Sequence, residues 1–129
     1  MSTRTLLKDS RTIAVVGLSP DPSRDSHRIS RYMQTQGYRI IPINPRASDI
    51  LGEKAYPDLI TAAAHHRIDL VNCFRRSEDI PPIAQEAAVI QARGLWLQLG
   101  IEHHEAAEAA RAQGLLADSR GTGPATIAG

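Results

Sequence analysis

Short apolar runs alternate with amphipathic stretches along the chain. Thr12-Ile-Ala-Val-Val-Gly17 is a β-branched run ending in glycine, which predicts a buried strand entering a turn. Residues 18–23 hold two prolines and short polar side chains, a turn-forming composition. A helix is predicted over 25–36, where Ile29, Tyr32 and Met33 share one face and Gly37 supplies the stop. The rhythm then repeats. Tyr38-Arg-Ile-Ile-Pro-Ile-Asn44 predicts a second strand, and 57–65 a short helix with Pro57 at its first position. Asp69-Leu-Val-Asn-Cys-Phe74 predicts a third strand, followed by a helix from Ser77 to about Arg93 with Gly94 as its stop. Leu95-Trp-Leu-Gln-Leu99 predicts a fourth strand, 103–113 an Ala- and Glu-rich helix, and 115–117 a fifth strand.

Strand and helix thus alternate with no hairpin signal between them. That order requires right-handed crossovers and a parallel sheet covered on both sides. The expected architecture is α/β, a Rossmann-like doubly wound sheet of about five parallel strands with helices on both faces. It forms a single domain over 1–129, with a core at about 8–121 and a flexible tail at 122–129.

Composition narrows the function classes. The 129 residues are 42% apolar, enough for a core, and 15 Lys+Arg against 14 Asp+Glu give a net charge of +1. No run of like charge exceeds Arg75-Arg76, which argues against nucleic acid as a partner. Apolar runs of about five residues fall far short of a bilayer span, so no membrane partner is expected. The polar stretch 1–11 lacks the apolar segment of a secretory signal. One cysteine, Cys73, excludes an intramolecular disulfide and a Cys-based zinc cluster and fits a reducing, cytoplasmic setting. Of the basic residues only Lys8 and Lys54 are lysine. A GC-rich coding bias produces that excess of arginine as readily as function does, so only position can single out an arginine.

In such sheets ligands bind beyond the carboxyl ends of the strands, where strand order reverses. After the first strand the three-glycine dinucleotide fingerprint is absent, since Gly17 stands alone. Ser19, Ser23 and Ser26 nevertheless offer hydroxyls, the following helix offers free amides, and Arg24 or Arg28 can complete an anion site. The same serines equally suit helix capping. After the second strand, Asn44-Pro45-Arg46 lacks the carboxylate that holds the ribose of NAD. Arg46 instead favours a phosphate, which points to NADP or coenzyme A. After the third strand, Phe74 can pack on an adenine face, Arg75 or Arg76 can reach a phosphate, and Ser77 is a suitable cap. Gln98 and Gly100 follow the fourth strand, where glycine permits close backbone approach.

Catalytic machinery is harder to find. His65-His66 and His103-His104 are adjacent pairs that diverge on a helix, so neither chelates one ion. Cys73 lies within a strand, the usual place of an inert buried thiol. No nucleophile elbow and no phosphate-loop lysine occur. Glu78 and Glu102 fall near the strand-end crevice, but spacing does not pair them. The chain supports a ligand site better than a reaction.

Taken together, Ile13-Ala-Val-Val-Gly-Leu-Ser19, Gly37-Tyr-Arg-Ile-Ile-Pro-Ile-Asn-Pro45, Ile50-Leu-Gly-Glu53, Tyr56-Pro57, Phe74-Arg-Arg-Ser-Glu78 and Trp96-Leu-Gln-Leu-Gly-Ile101 resemble the small stand-alone CoA-binding proteins. Their fold is similar to the CoA-binding domain of the succinyl-CoA synthetase alpha subunit, and the match covers about residues 8–121. The resemblance implies a cleft that binds coenzyme A or an acyl-CoA. Gly17, Ser19, Arg24 and Ser26 would lie at the pyrophosphate, and Asn44, Pro45 and Arg46 near the ribose phosphate. Phe74, Arg75 and Ser77 would form a third wall, with Gln98 and Gly100 along the pantetheine path. The phosphorylated histidine and ligase domain of the larger synthetases have no counterpart in the match, so it implies binding without ligase chemistry. The role would be that of a carrier, sensor or regulatory partner. One departure is Asp118-Ser-Arg120-Gly121, with Gly121 where family members often carry cysteine. An NADP-linked oxidoreductase and an interaction module with a vestigial nucleotide crevice are the alternatives.

Overall fold

The computed structural model describes residues 10–97 and 116–118. In chain order the elements are β1 (Thr12–Val16), α1 (Asp25–Thr35), β2 (Arg39–Ile43), β3 (Asp49–Ile50), β4 (Glu53–Lys54), α2 (Leu59–Ala63), β5 (Leu70–Cys73), a 3₁₀ turn (Ser77–Asp79), α3 (Ile80–Val89), β6 (Gly94–Leu97) and β7 (Leu116–Asp118). Five strands form one parallel sheet in the order β2-β1-β5-β6-β7. The chain runs outward from β1 to β2 and then returns to β1's other side, so the order reverses at β1.

Alternation along the strands builds two cores. Ala14 and Val16, Ile41 and Ile43, Val71 and Cys73, and Leu95 and Leu97 face one way and pack with Leu59 and Ala62 of α2 and Ile80, Ala84 and Ala87 of α3. Ile13, Val15, Ile40, Leu70 and Trp96 face the other way and pack with Leu18 and with Met33 of α1. Helices therefore cover both faces, and the near-continuous apolar strands follow from that double burial. No helix among the described residues is long and apolar enough to cross a membrane.

Pro42 sits inside β2 without harm because β2 is an edge strand. Its carbonyl accepts from Tyr56 N on the outer side (3.0 Å), so the N–H that proline lacks would also have faced outward. Tyr56 O in turn accepts from Asn44 N at 2.9 Å, which lays Tyr56 alongside the end of the sheet.

Four expectations need correction. A hairpin does exist: β3 and β4 pair antiparallel around Leu51 and Gly52, both left-handed with φ of 55° and 78°. Positive φ at both positions is the geometry of a type I′ turn, normally signalled by Asn-Gly; leucine gives no such sign. Buried Ile50 and the bond from Gln34 Nε2 to Leu51 O (3.1 Å) support it instead. At α2 Pro57 precedes the helix, and Asp58 is the cap, its Oδ1 accepting from Thr61 N at 2.7 Å. At α3 the N-cap position belongs to Asp79, and Ser77 opens the preceding 3₁₀ turn.

Finally, α3 stops before Gly94, which is the first residue of β6. Gln91 takes the left-handed position (φ 61°), with Gln91 N bonded to Ala88 O and Ala92 N to Ala87 O, both at 3.0 Å. This is a Schellman closure built without glycine. Gln91→Gly is therefore expected to stabilise the fold by about 0.5–1 kcal/mol and raise Tm by about 3 °C in a thermal melt. A lower Tm would contradict this account of the turn. At the end of α1 glycine does fill the same role, Gly37 having φ 93°.

Candidate ligand-binding cleft

Strand register fixes the site. Ile43, Val16, Cys73 and Leu97 lie in one row across the sheet, so Asn44, Gly17 and Phe74 emerge next to one another at its carboxyl edge. Gly17 N donates to Ile43 O (3.0 Å) and Phe74 N to Val16 O (2.8 Å), extending the ladder into the turns. Gly17 has φ +86°, and a Cβ there would stand 2.7 Å from Phe74 O and 3.0 Å from Arg75 Cδ. Glycine is needed for both reasons, and its bare surface is what Arg75's stem passes over.

The first loop is held by its own side chains. Ser19 N donates to Oγ of buried Ser26 (3.0 Å), and Asp21 N donates to Ser19 Oγ (3.0 Å). Ser23 donates to Asp21 Oδ1 from its amide at 2.9 Å and its hydroxyl at 2.8 Å, and these bonds hold Asp21 below the usual carboxylate range. Arg24 is the N-cap residue of α1, and no side chain caps that helix. Arg28 pairs with Asp25. Ser23 and Ser26 thus serve loop structure, and neither caps α1 as the capping alternative expected.

Asn44 ties the second loop to the first. Its Nδ2 donates to Leu18 O (3.0 Å), while its Oδ1 accepts from Arg46 N at 2.9 Å. Arg46 is left with an exposed side chain directed by a fixed backbone. On the third loop Arg75 Nη2 lies 3.1 Å from Asp79 Oδ2.

These loops enclose a cleft of about 530 Å³, within the size range of small-molecule sites. Of the residues singled out in the sequence, Gly17, Ser19, Asn44, Pro45, Arg46 and Arg75 line it. Arg24, Ser26 and Phe74 do not; Phe74 is half-buried against the core beside α1. Ser77 lies on the 3₁₀ turn. Gln98, Gly100, Glu102, His103, His104, Arg120 and Gly121 lie outside the described residues, as do the expected helix 103–113 and tail 122–129.

Sequence reasoning missed the remaining wall, formed by Pro57, Asp58 and Leu59 at the start of α2 and by Ile83 and Glu86 of α3. Glu86 Oε1 accepts from Leu59 N at 3.1 Å, so both carboxylates of this wall are occupied with α2 amides. An Asp three residues before Thr61 was a visible capping signal; Glu86, mid-helix, gave none. Glu78, expected near the crevice, pairs instead with Arg76 at 3.4 Å and does not line it.

The other reactive candidates have structural partners. Cys73 is fully buried, and burial pushes its thiol up to about 12. His66 Nε2 is 3.2 Å from Tyr56 Oη, and His65 stacks on the Tyr56 ring at 5.5 Å. Burial, aided by Arg39, holds His66 below the usual imidazole value.

A cleft lined by Arg46 and Arg75 at the switch point of a doubly wound parallel sheet gives this chain a Rossmann-like architecture. Within that class the family is specific: residues 11–122 match the CoA binding domain family, and the chain belongs to it. The YneT protein of Bacillus subtilis (strain 168) is 42% identical over 111 residues, covering 86% of this chain and 81% of that protein. A Thermus thermophilus structure is 31% identical with a TM-score of 0.86, covering 97% of this chain and 92% of the other. The dinucleotide-forming acetyl-coenzyme A synthetase 1 of Ca. Korarchaeum cryptofilum shares the fold, with a TM-score of 0.72 at 21% identity. There the similarity covers 85% of this chain and 26% of the synthetase.

Proposed function

We propose that the chain binds coenzyme A, or an acyl-CoA, in the cleft at the carboxyl ends of the strands and has no catalytic machinery of its own. The observation that carries this reading is the pair Arg46 and Arg75, presented over the Asn44 and Gly17 turns on a chain of the CoA binding domain family. The site's chemistry fits the molecule. Guanidinium groups suit phosphate oxygens, Ser19 adds a polar edge, and Val16, Ile43, Leu59 and Ile83 give an apolar floor for the uncharged parts. Asp58 and Glu86 are each tied to an α2 amide through one oxygen but keep their charge, so on this reading the phosphates lie on the Arg46 and Arg75 side of the cleft.

On this reading Gly17, Ser19 and Arg75 hold the pyrophosphate region and Asn44, Pro45 and Arg46 the ribose phosphate. The residues that do not reach the cleft here, Arg24, Ser26 and Phe74, support the loops beneath. The protein would act as a carrier, sensor or regulatory partner in the cytoplasm, with the buried Cys73 thiol inert. Calorimetry with CoA, acetyl-CoA and NADPH in about 100 mM salt, where long-range attraction is screened, is the test. Heat of binding with CoA or its thioester is expected. No binding of either, or tighter binding of NADPH, defeats the proposal.

A further inference from the structure

Asp79 stands at the N-cap of α3, where a carboxylate ordinarily accepts from the amide two or three residues on. Here those residues are Pro81 and Pro82, which have no N–H to give. Asp79 accordingly makes no side-chain capping bond, and its charge turns to the preceding loop. Oδ2 lies 3.1 Å from Arg75 Nη2 and 3.8 Å from Arg76 Nε. Yet Oδ2 is closed off from solvent and, among the described residues, has no hydrogen-bond partner. The two guanidinium groups are near it, but neither aims an N–H at it. Such a contact is held by charge without the directional bonding that makes an arginine–carboxylate pair strong.

The two arginines differ in what they face. Arg75 lines the cleft and is half-exposed there; Arg76 lies outside the lining and is also paired with Glu78 at 3.4 Å. We infer that Asp79 is an exchangeable counter-anion: it holds Arg75 at the cleft in the free protein and yields it to a ligand phosphate, while Arg76 remains to neutralise the carboxylate. The inference rests on the phosphate-binding reading of the cleft. A phosphate offers aligned, bidentate acceptance that Asp79 does not, so Arg75 gains by the exchange. The cost falls on Asp79, and Arg76 sets that cost. Asp79 and Arg76 would then tune affinity from outside the site.

Calorimetric titration of CoA into the wild type, Asp79→Asn, Arg76→Gln and the double variant tests the scheme. Asp79→Asn removes the competitor and should tighten CoA about three- to tenfold. Arg76→Gln should weaken it about threefold, and that loss should vanish in the Asp79→Asn background. Asp79→Ser should reproduce the tightening, which guards against a local effect of asparagine on the 3₁₀ turn. Both Asp79 variants weakening CoA, or leaving it unchanged, would overturn the inference while the binding reading stands. An Arg76→Gln loss that persists without Asp79 would overturn the relay to Arg76. A wild type that binds no CoA defeats both.

Discussion

Gly17→Ala should destabilise the protein by about 3 kcal/mol, lowering Tm by about 10 °C, and should weaken CoA binding at least tenfold. Two costs combine. An L-residue at φ +86° is strained, and the new methyl would lie 2.7 Å from a backbone carbonyl, Phe74 O. That carbonyl cannot withdraw cheaply, because Phe74 N is bonded to Val16 O at 2.8 Å and the two turns are locked side by side. The same methyl would push on Arg75 Cδ at 3.0 Å, displacing a guanidinium that the proposed site requires. Gly37→Ala is the internal comparison. Its φ is +93°, but nothing lies within 4 Å of the added atom, so only the backbone cost of about 1 kcal/mol is expected. Melts of the two variants alongside calorimetry would check the ordering; equal destabilisation would show that the packing argument is wrong.

The second large effect concerns selectivity. Arg46→Gln should cost CoA about 2 kcal/mol, roughly 30-fold in Kd, while dephospho-CoA loses little, because the lost charge would have met the ribose phosphate. The substitution is a clean probe of the side chain. The loop is set by the Arg46 amide on Asn44 Oδ1, which glutamine retains, and stability should change by less than about 0.5 kcal/mol. Matched titrations with the two ligands decide it, since similar losses for both would remove Arg46 from the ribose phosphate.

Elements whose signal is periodic and local were legible in the sequence. β1, β2, β5 and β6 are apolar because both faces of the sheet are covered, and α1 carries a clear stripe ending at a glycine. What escaped depends on contacts between distant residues. The Leu51-Gly52 hairpin is secured by Ile50 in the core and by Gln34 from α1. Gln91 is a local exception, taking a glycine's conformation at the end of α3 with a residue type that does not signal it. The site divides in the same way. Residues immediately after a strand, such as Gly17, Asn44 and Arg75, could be read from the strand ends alone. Glu86 enters the cleft only because α3 packs beside α2, a tertiary fact that no local pattern carries. Position also sorted the arginines: Arg46 and Arg75 line the cleft, while Arg24 sits at the N-cap of α1 outside that lining.

The proline in β2 has a consequence for assembly. An edge strand usually invites a foreign strand to continue the sheet, because it presents a row of free amides and carbonyls. Around Pro42 that invitation is withdrawn: the proline has no amide to offer, and its carbonyl and the Asn44 amide are already taken by Tyr56. A strand approaching the Pro42–Asn44 end of β2 would find no backbone template at these positions, so a partner meeting the protein there would dock through side chains.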